Sequence, residues 1–112
     1  MDHKRQTVFR ARIVERLAEL DAEDARGRAG QATVTLDQQA IGRLSRQDAL
    51  QSQAMARATQ ARREIERQRL RAALARLDEG EFGYCEDCGE AIAEARLALD
   101  PALTRCISCA AG

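Results

Sequence analysis

The fold of this chain is decided by residues 82–109, which read FGYCEDCGEAIAEARLALDPALTRCISC. The segment holds two Cys-x-x-Cys pairs, Cys85 with Cys88 and Cys106 with Cys109, separated by 17 residues. Each pair lets two thiolates reach one ion from a tight turn, and four thiolates complete a tetrahedron around zinc. Because no coordination position stays open, the spacing predicts one structural Zn²⁺ rather than a catalytic ion. We therefore predict a four-cysteine zinc-finger module over residues 80–112.

Two other uses of the cysteines are less favoured. Two disulfides would suit a small secreted domain, but Met1 leads into Asp2-His3-Lys4-Arg5 without the apolar segment of an export signal. A redox-active Cys-x-x-Cys needs only one pair and a neighbouring βαβ pattern. His3 is the one histidine of the 112-residue chain, and its spacing predicts a solvated terminal residue rather than a metal ligand.

Composition predicts a helical protein with a thin core. Aromatic residues make up 3% of the chain, which has no Trp, while strong helix formers dominate, and the one proline, Pro101, lies inside the cysteine segment. No apolar run reaches the roughly 20 residues needed to span a bilayer, so we expect a cytoplasmic protein without membrane contact. Residues 80–112 carry two Arg against six acids, a balance that would repel phosphates, so no direct nucleic-acid contact is expected.

A first helix is predicted over about residues 4–26. Its apolar stripe recurs at spacings of four, four and three, through Phe9, Ile13, Leu17 and Leu20. Ala11, Val14 and Ala18 are expected to broaden it. Two glycines and the β-branched run Thr33-Val34-Thr35 follow, which predicts a loop over about residues 27–36.

A second, long helix is predicted over about residues 37–79, and it ends where Gly80 supplies a left-handed residue. Small residues at alternating spacings of three and four predict its seam, which consists of Leu44, Gln47, Gln51, Ala54, Ala58, Ala61, Ile65, Gln68, Ala72 and Ala75. A second stripe of Leu70, Leu74 and Leu77 is expected to pack against Phe82 and Tyr84. The start of this helix, at Asp37 or only after Gly42, is left open.

Together these patterns predict a mainly α fold, in which residues 1–79 form an antiparallel coiled-coil helical hairpin followed by the small C-terminal four-cysteine zinc finger. A homodimeric coiled coil or an ordinary helical bundle would also fit the seam. The arginines of the second helix are expected to form a solvated face, given the interleaved Glu64 and Glu66 and the lack of aromatic residues; they are Arg57, Arg62, Arg63, Arg67, Arg69, Arg71 and Arg76.

The C-terminal segment resembles a known family at more than its cysteines. Phe82-Gly83-Tyr84-Cys85-Glu86-Asp87-Cys88-Gly89, followed by Ile92, Arg96, Leu97, Pro101, Cys106 and Cys109, is similar to the zinc finger of the DksA/TraR family of bacterial transcription factors. The resemblance implies a coiled-coil hairpin that enters the secondary channel of RNA polymerase and places its tip near the catalytic centre. Dependence on the nucleotide ppGpp, which some members show, is left open.

Family members that act on polymerase carry Asp-x-x-Asp-x-Ala at the tip. The nearest match here is Ser45-Arg46-Gln47-Asp48-Ala49-Leu50, which keeps only the second acid. Ser45 replaces the first aspartate and Leu50 the alanine, while Arg43 and Arg46 add positive charge. These five residues, Arg43, Ser45, Arg46, Asp48 and Leu50, are the candidate partner-binding tip.

The sequence therefore predicts a non-enzymatic transcription regulator that binds bacterial RNA polymerase. An enzyme is not expected, because the sequence offers no spare ligand position at the metal, no base beside a nucleophile and no glycine-rich phosphate loop. The alternative is a zinc-finger and coiled-coil interaction module with a partner other than RNA polymerase.

Overall fold

The computed structural model describes residues 1–37 and 43–111. Two long helices, α1 (His3–Asp37) and α2 (Arg43–Glu79), precede two short ones, α3 (Glu94–Leu99) and α4 (Ile107–Ala111). The described residues contain one isolated antiparallel bridge, between Tyr84 and Ala91, and no longer strand. None of the helices in this part of the chain combines the length and hydropathy of a membrane span.

The start of α1 and the end of α2 are both capped. Asp2 caps α1, because its Oδ1 accepts the backbone N–H of Arg5 at 2.8 Å. Gly80 ends α2 with φ 77°, and the N–H groups of Gly80 and Glu81 donate to the carbonyls of Leu77 and Arg76 at 3.3 and 2.8 Å. This pair of bonds is the Schellman arrangement that a left-handed glycine permits. The predicted end of the second helix is confirmed.

Helix α1 runs about eleven residues beyond its predicted end. The loop expected over residues 27–36 was wrong, because α1 continues to Asp37. A Cβ atom at Gly27 would lie 3.0 Å from Arg63 Nη2, so the glycine allows a close approach to α2 instead of stopping the helix. Helix α2 begins at Arg43. Residues 38–42, which would decide whether the helix starts at Asp37 or only after Gly42, lie outside the described residues.

The chain divides into two compact units, each containing antiparallel portions of α1 and α2. Unit 1 comprises Met1–Leu17 with Gln68–Gly112, and unit 2 comprises Ala18–Arg67. In unit 1 an ion pair of 2.9 Å joins Arg10 to Asp78, and in unit 2 Asp24 pairs with Arg63 and Arg67. Early residues of α1 thus meet late residues of α2, as the predicted antiparallel hairpin requires.

The core of unit 1 is small and mostly aliphatic. The Phe9 and Phe82 rings lie 5.3 Å apart with their planes tilted by 47°, a favourable geometry for an aromatic pair. The other buried apolar side chains of this unit are Ile13, Leu70, Ala73, Leu77, Ile92, Leu97 and Ala102. Leu70, Leu77 and Phe82 are buried as expected, whereas Tyr84 is 44% exposed, contrary to prediction.

The seam of α2 lies on a different face from the predicted one. Apart from Leu44, whose side chain lies outside the described part, every predicted seam residue is exposed, and Ile65 is 62% exposed. Most of the side chains that are buried or half-buried follow the same heptad period two positions later, at Ala49, Gln53, Ala56, Gln60, Arg63, Arg67, Leu70, Leu74 and Leu77. Ala73 is also buried, and Glu66 and Arg76 are half-buried. The heptad period of the predicted seam was right, but its position along the helix was wrong by two residues. Alanine was counted as an apolar seam residue, although its side chain contributes little area to bury.

An ion-pair cluster occupies the seam in unit 2. Asp24, 7% exposed, accepts hydrogen bonds from Arg63 at 2.5 Å and from Arg67, which is also 7% exposed. Glu64 and the exposed Asp21 also pair with Arg67. The hydrogen bonds from Arg63 and Arg67 lower the pKa of Asp24, and the bond to Asp24 raises the pKa of Arg67. Two of the arginines expected in solvent are therefore part of the interior.

Glutamate substitutions test the phase of the seam. Ala73→Glu places a charge where the side chain is fully buried, whereas Ala61 is exposed. We expect Ala73→Glu to lower the free energy of unfolding by roughly 3 kcal/mol or more and Ala61→Glu to change it by less than about 0.5 kcal/mol. Urea unfolding of the zinc-loaded protein, followed by circular dichroism, measures both. Equal losses would contradict the observed seam.

Asp24→Asn tests the buried ion pairs. The variant leaves two arginines near the helix interface without their carboxylate, so we expect a lower melting temperature. The matched control is Asp21→Asn, which removes an exposed acid from the same Arg67 and should change the melting temperature much less. An equal drop in melting temperature in both variants would show that the buried Asp24 stabilises the fold no more than the exposed Asp21.

The stabilisation from Asp24 should also depend on pH. Its pKa is lower in the folded state than in the unfolded chain, so its contribution is complete above the unfolded value, about 3.9. That contribution is lost as the pH falls through the lower, folded-state pKa. We expect the melting-temperature difference between wild type and Asp24→Asn to be constant from about pH 5 to 7 and to shrink below about pH 4. A difference that grows on acidification would contradict this assignment.

Candidate metal centre

The first cysteine pair lies on a tight turn held by backbone hydrogen bonds. The N–H of Cys85 donates to the Glu90 carbonyl at 2.8 Å, and the N–H of Gly89 donates to the Cys85 carbonyl at 2.9 Å. Gly89 has φ 76°, a left-handed conformation that residues with a side chain rarely adopt. The turn therefore brings Cys85 and Cys88 to one side of the loop.

The second cysteine pair lies at the start of α4. The N–H of Ala110 donates to the Cys106 carbonyl at 2.9 Å, which closes the first turn of that helix. A backbone bond of 2.8 Å from Glu86 N–H to the Thr104 carbonyl joins the two pairs, and Arg105 adds an ion pair of 3.0 Å with Asp87. Two separate turns thus present their sulfurs to one point.

The four sulfurs have the geometry of a single metal site. All four Sγ atoms lie within 4.8 Å of one another, and those of Cys88 and Cys106 are 3.6 Å apart. Zinc–sulfur bonds of about 2.3 Å in a tetrahedron place the sulfurs about 3.8 Å apart, close to that separation. The four cysteines are free thiols, so the site has the ligands that one zinc ion requires.

The electrostatics of the site favour a bound cation. Hydrogen bonds from the backbone at Cys106 and Cys88 lower the pKa of Cys85 to about 6. Side-chain hydrogen bonds between the Cys109 thiol and the sulfurs of Cys106, Cys85 and Cys88 raise the pKa of Cys109 to about 12. One thiolate forms readily, whereas further negative charge is unfavourable unless a cation compensates it. A divalent metal that prefers sulfur supplies that compensation, and four protein ligands leave it a structural role.

Several contacts within unit 1 hold the module against the helices. Arg12 Nη2 donates to the Ala98 carbonyl at 2.7 Å, and the Arg12 guanidinium lies 5.7 Å from the centre of the Phe9 ring. Arg69 pairs with Asp100 at 2.9 Å and Arg5 with Glu94 at 3.3 Å. The N-terminal part of α1 and the C-terminal part of α2 therefore pack on the segment that carries the metal ligands.

The candidate tip residues lie at the start of α2, in unit 2. Ser45, Arg46, Asp48 and Leu50 are exposed, with Leu50 at 57%, and Arg43 is the first residue of the helix. Ser45 and Asp48, three positions apart, share one helix face. Their role in binding a partner stays a prediction.

Sequence reasoning missed Asp24 and the arginines that hold the module. Asp24 follows Leu20 by four residues, so the spacing of the α1 stripe pointed to it, but its charge argued against burial. Arg12 and Arg69 gave no signal, since their partners on and after α3 are 86 and 31 residues away in sequence.

Comparisons with known proteins agree with this geometry. Residues 80–112 match the model of the prokaryotic dksA/traR C4-type zinc finger. The chain as a whole is similar in structure to transcription factor DksA2 from Pseudomonas aeruginosa, with a TM-score of 0.88 and 23% sequence identity over 98% of this chain and 83% of that one. No curated protein matches in a sequence search. Residues 80–112 therefore form a dksA/traR-type C4 zinc finger, and the fold of the chain is that of DksA2.

Zinc content tests the site directly. We expect one zinc per chain by elemental analysis, and at least a roughly tenfold loss of zinc affinity in Cys106→Ser, because serine is a poorer zinc ligand than a thiolate. The matched control Ser108→Ala changes a residue of the same turn that is not a ligand. Retention of zinc by Cys106→Ser with unchanged affinity would contradict four-cysteine coordination.

Removal of zinc should loosen unit 1 selectively. Metal binding and folding of such modules are coupled, and the N-terminal part of α1 and the C-terminal part of α2 pack on the zinc finger. We expect faster amide hydrogen exchange in residues 5–17 and 70–79 after chelation, with little change in residues 47–60. Uniform acceleration along the whole chain would indicate that the two units unfold together.

Proposed function

We propose that this protein is a cytoplasmic, non-enzymatic transcription regulator that binds bacterial RNA polymerase through the secondary channel. The observation that carries the proposal is the combination of a dksA/traR-type C4 zinc finger with the helical hairpin of a transcription factor. The finger supports a DksA-like regulator, and the hairpin supplies the element that a narrow channel could accept.

The candidate contact is the start of α2. Asp48 is exposed and is the only acid between Asp37 and Glu64, so it is the one carboxylate that this part of α2 can present to a polymerase. A carboxylate near the catalytic metal ion or near basic loops of the enzyme would change the local charge at short range. Arg43 and Arg46 lie within the same two turns and make this end more basic than the motif of the resembling family.

In vitro transcription tests the proposal. We expect purified bacterial RNA polymerase to show altered multi-round transcription from a ribosomal RNA promoter when zinc-loaded wild-type protein is added. Asp48→Ala should reduce the effect about tenfold at equal concentration, since a lost charged contact costs on the order of 1.4 kcal/mol. Gln51→Ala, on the next turn of the same helix, is the matched control and should retain the effect.

Competition with another secondary-channel factor for polymerase provides the second readout. Displacement of that factor by wild type, and weaker displacement by Asp48→Ala, would support the channel as the binding site. An effect that survives Asp48→Ala would move the contact elsewhere on the hairpin. If wild type neither alters transcription nor displaces the factor, the proposal is wrong and an interaction module with another partner is favoured.

A further inference from the structure

We infer that the cleft between the C-terminal end of α2 and the first turn of the zinc finger, within unit 1, binds a basic peptide segment of a partner protein. This cleft has a volume of about 560 Å³, and its lining includes Ala72, Ala75, Arg76, Tyr84 and three glutamates. Its size is in the range of sites that hold a small ligand or a few side chains. The inference does not depend on polymerase binding.

The rim of the cleft selects a cation. Glu79, Glu81 and Glu86 are exposed, and within the described residues none of the three has an ion-pair partner. Against the one guanidinium of Arg76, these three carboxylates leave the cleft with a net negative charge, which repels phosphates and other anions and attracts Lys or Arg side chains. This charge favours a basic protein segment over a nucleic acid.

Tyr84 gives the cleft a surface for a guanidinium or ammonium group. It is the only exposed aromatic residue of the chain, at 44%, because Phe9 and Phe82, the other two aromatic residues, are both described and buried. The face of an aromatic ring attracts cations, and Arg stacks on such a face particularly well. The exposed methyl groups of Ala72 and Ala75 complete an apolar floor on which the aliphatic stem of a long basic side chain can lie.

Arg76 indicates that the ligand also brings a hydrogen-bond acceptor. Its Nη2 atom is buried and has no hydrogen-bond partner among the residues that the structure describes. An unsatisfied buried donor is unfavourable, and the half-buried Arg76 side chain lines the cleft, so rotation of its guanidinium towards an acceptor in the cleft would give Nη2 the partner it lacks. A peptide carries basic side chains and backbone carbonyls together, whereas a polyamine carries only the cations.

Amide NMR titration of the zinc-loaded full chain tests this site with defined probes. The probe is a blocked pentapeptide, acetyl-Gly-Arg-Ala-Arg-Gly-amide, and its matched control replaces both Arg with Glu. We expect saturable shifts of amides in residues 72–86 with the Arg peptide, weakened at least about threefold between roughly 50 and 300 mM salt. The Glu peptide should produce none. Spermidine should bind more weakly than the Arg peptide.

Variants assign the binding to the cleft. Glu79→Gln, Glu81→Gln and Glu86→Gln combined should weaken Arg-peptide binding at least about fivefold, and Tyr84→Ala at least about threefold. Glu90→Gln, an exposed acid of the same finger outside the cleft, is the matched control and should leave binding unchanged. Arg76→Gln should remove the preference for the peptide over spermidine. Zinc content and the spectrum outside residues 72–86 show whether each variant is folded.

Four results would overturn the inference. The first is equal binding of the Arg and Glu peptides, and the second is equal weakening by Glu90→Gln and the triple variant. The third is a spectrum without saturable shifts at millimolar peptide. The fourth is the same amides shifting with protein concentration alone, since the occupant would then be a second copy of this chain.

Discussion

The convergence of four thiols on one point is the constraint on which unit 1 depends. Four thiolates within 4.8 Å of one another repel each other unless a cation lies between them. The pKa of Cys109, raised to about 12, shows that its thiol stays protonated beside the other sulfurs. A zinc ion removes this repulsion and fixes the two turns that carry the cysteines. The segment between those turns contributes Leu97 and Ala102 to the core, so the metal also determines which apolar side chains the ends of α1 and α2 can pack against.

Unit 2 is held together differently, because it has little apolar area to bury. Of the large apolar side chains described in this unit, only Leu20 is fully buried, whereas Leu50, Met55 and Ile65 are more than half exposed. Asp24 with Arg63 and Arg67 provides directional contacts where a longer apolar seam would otherwise be expected. Such pairs specify which residues of the two helices meet more strongly than they stabilise the pairing.

The fold was predictable from the sequence wherever a pattern had one physical meaning. Cysteine spacing predicted the four metal ligands. Gly80 predicted the end of α2, because a glycine directly after a charged helical turn is typical of a left-handed helix end. Gly27 had two meanings, a helix stop or a close approach, and only the position of Arg63 across the interface distinguishes them. The predicted alanine seam was wrong for a similar reason, because alanine is common both in a tight helix interface and on a solvated helix surface.

The charge distribution along the chain bears on how the candidate tip could act. Residues 25–62 contain six Arg and two acids, while the chain as a whole is neutral, so the part of the hairpin that includes Asp48 has a positive field at distances beyond a few ångströms. That field opposes approach to a basic surface, whereas the Asp48 carboxylate attracts cations at close range. The proposed contact with a polymerase therefore depends on confinement, because a channel that brings the two surfaces within about 4 Å lets one carboxylate outweigh more distant arginines that salt screens. A partner surface open to solvent would gain little from Asp48, and this difference favours the channel over a flat surface as the place where a tip with a single acid can function.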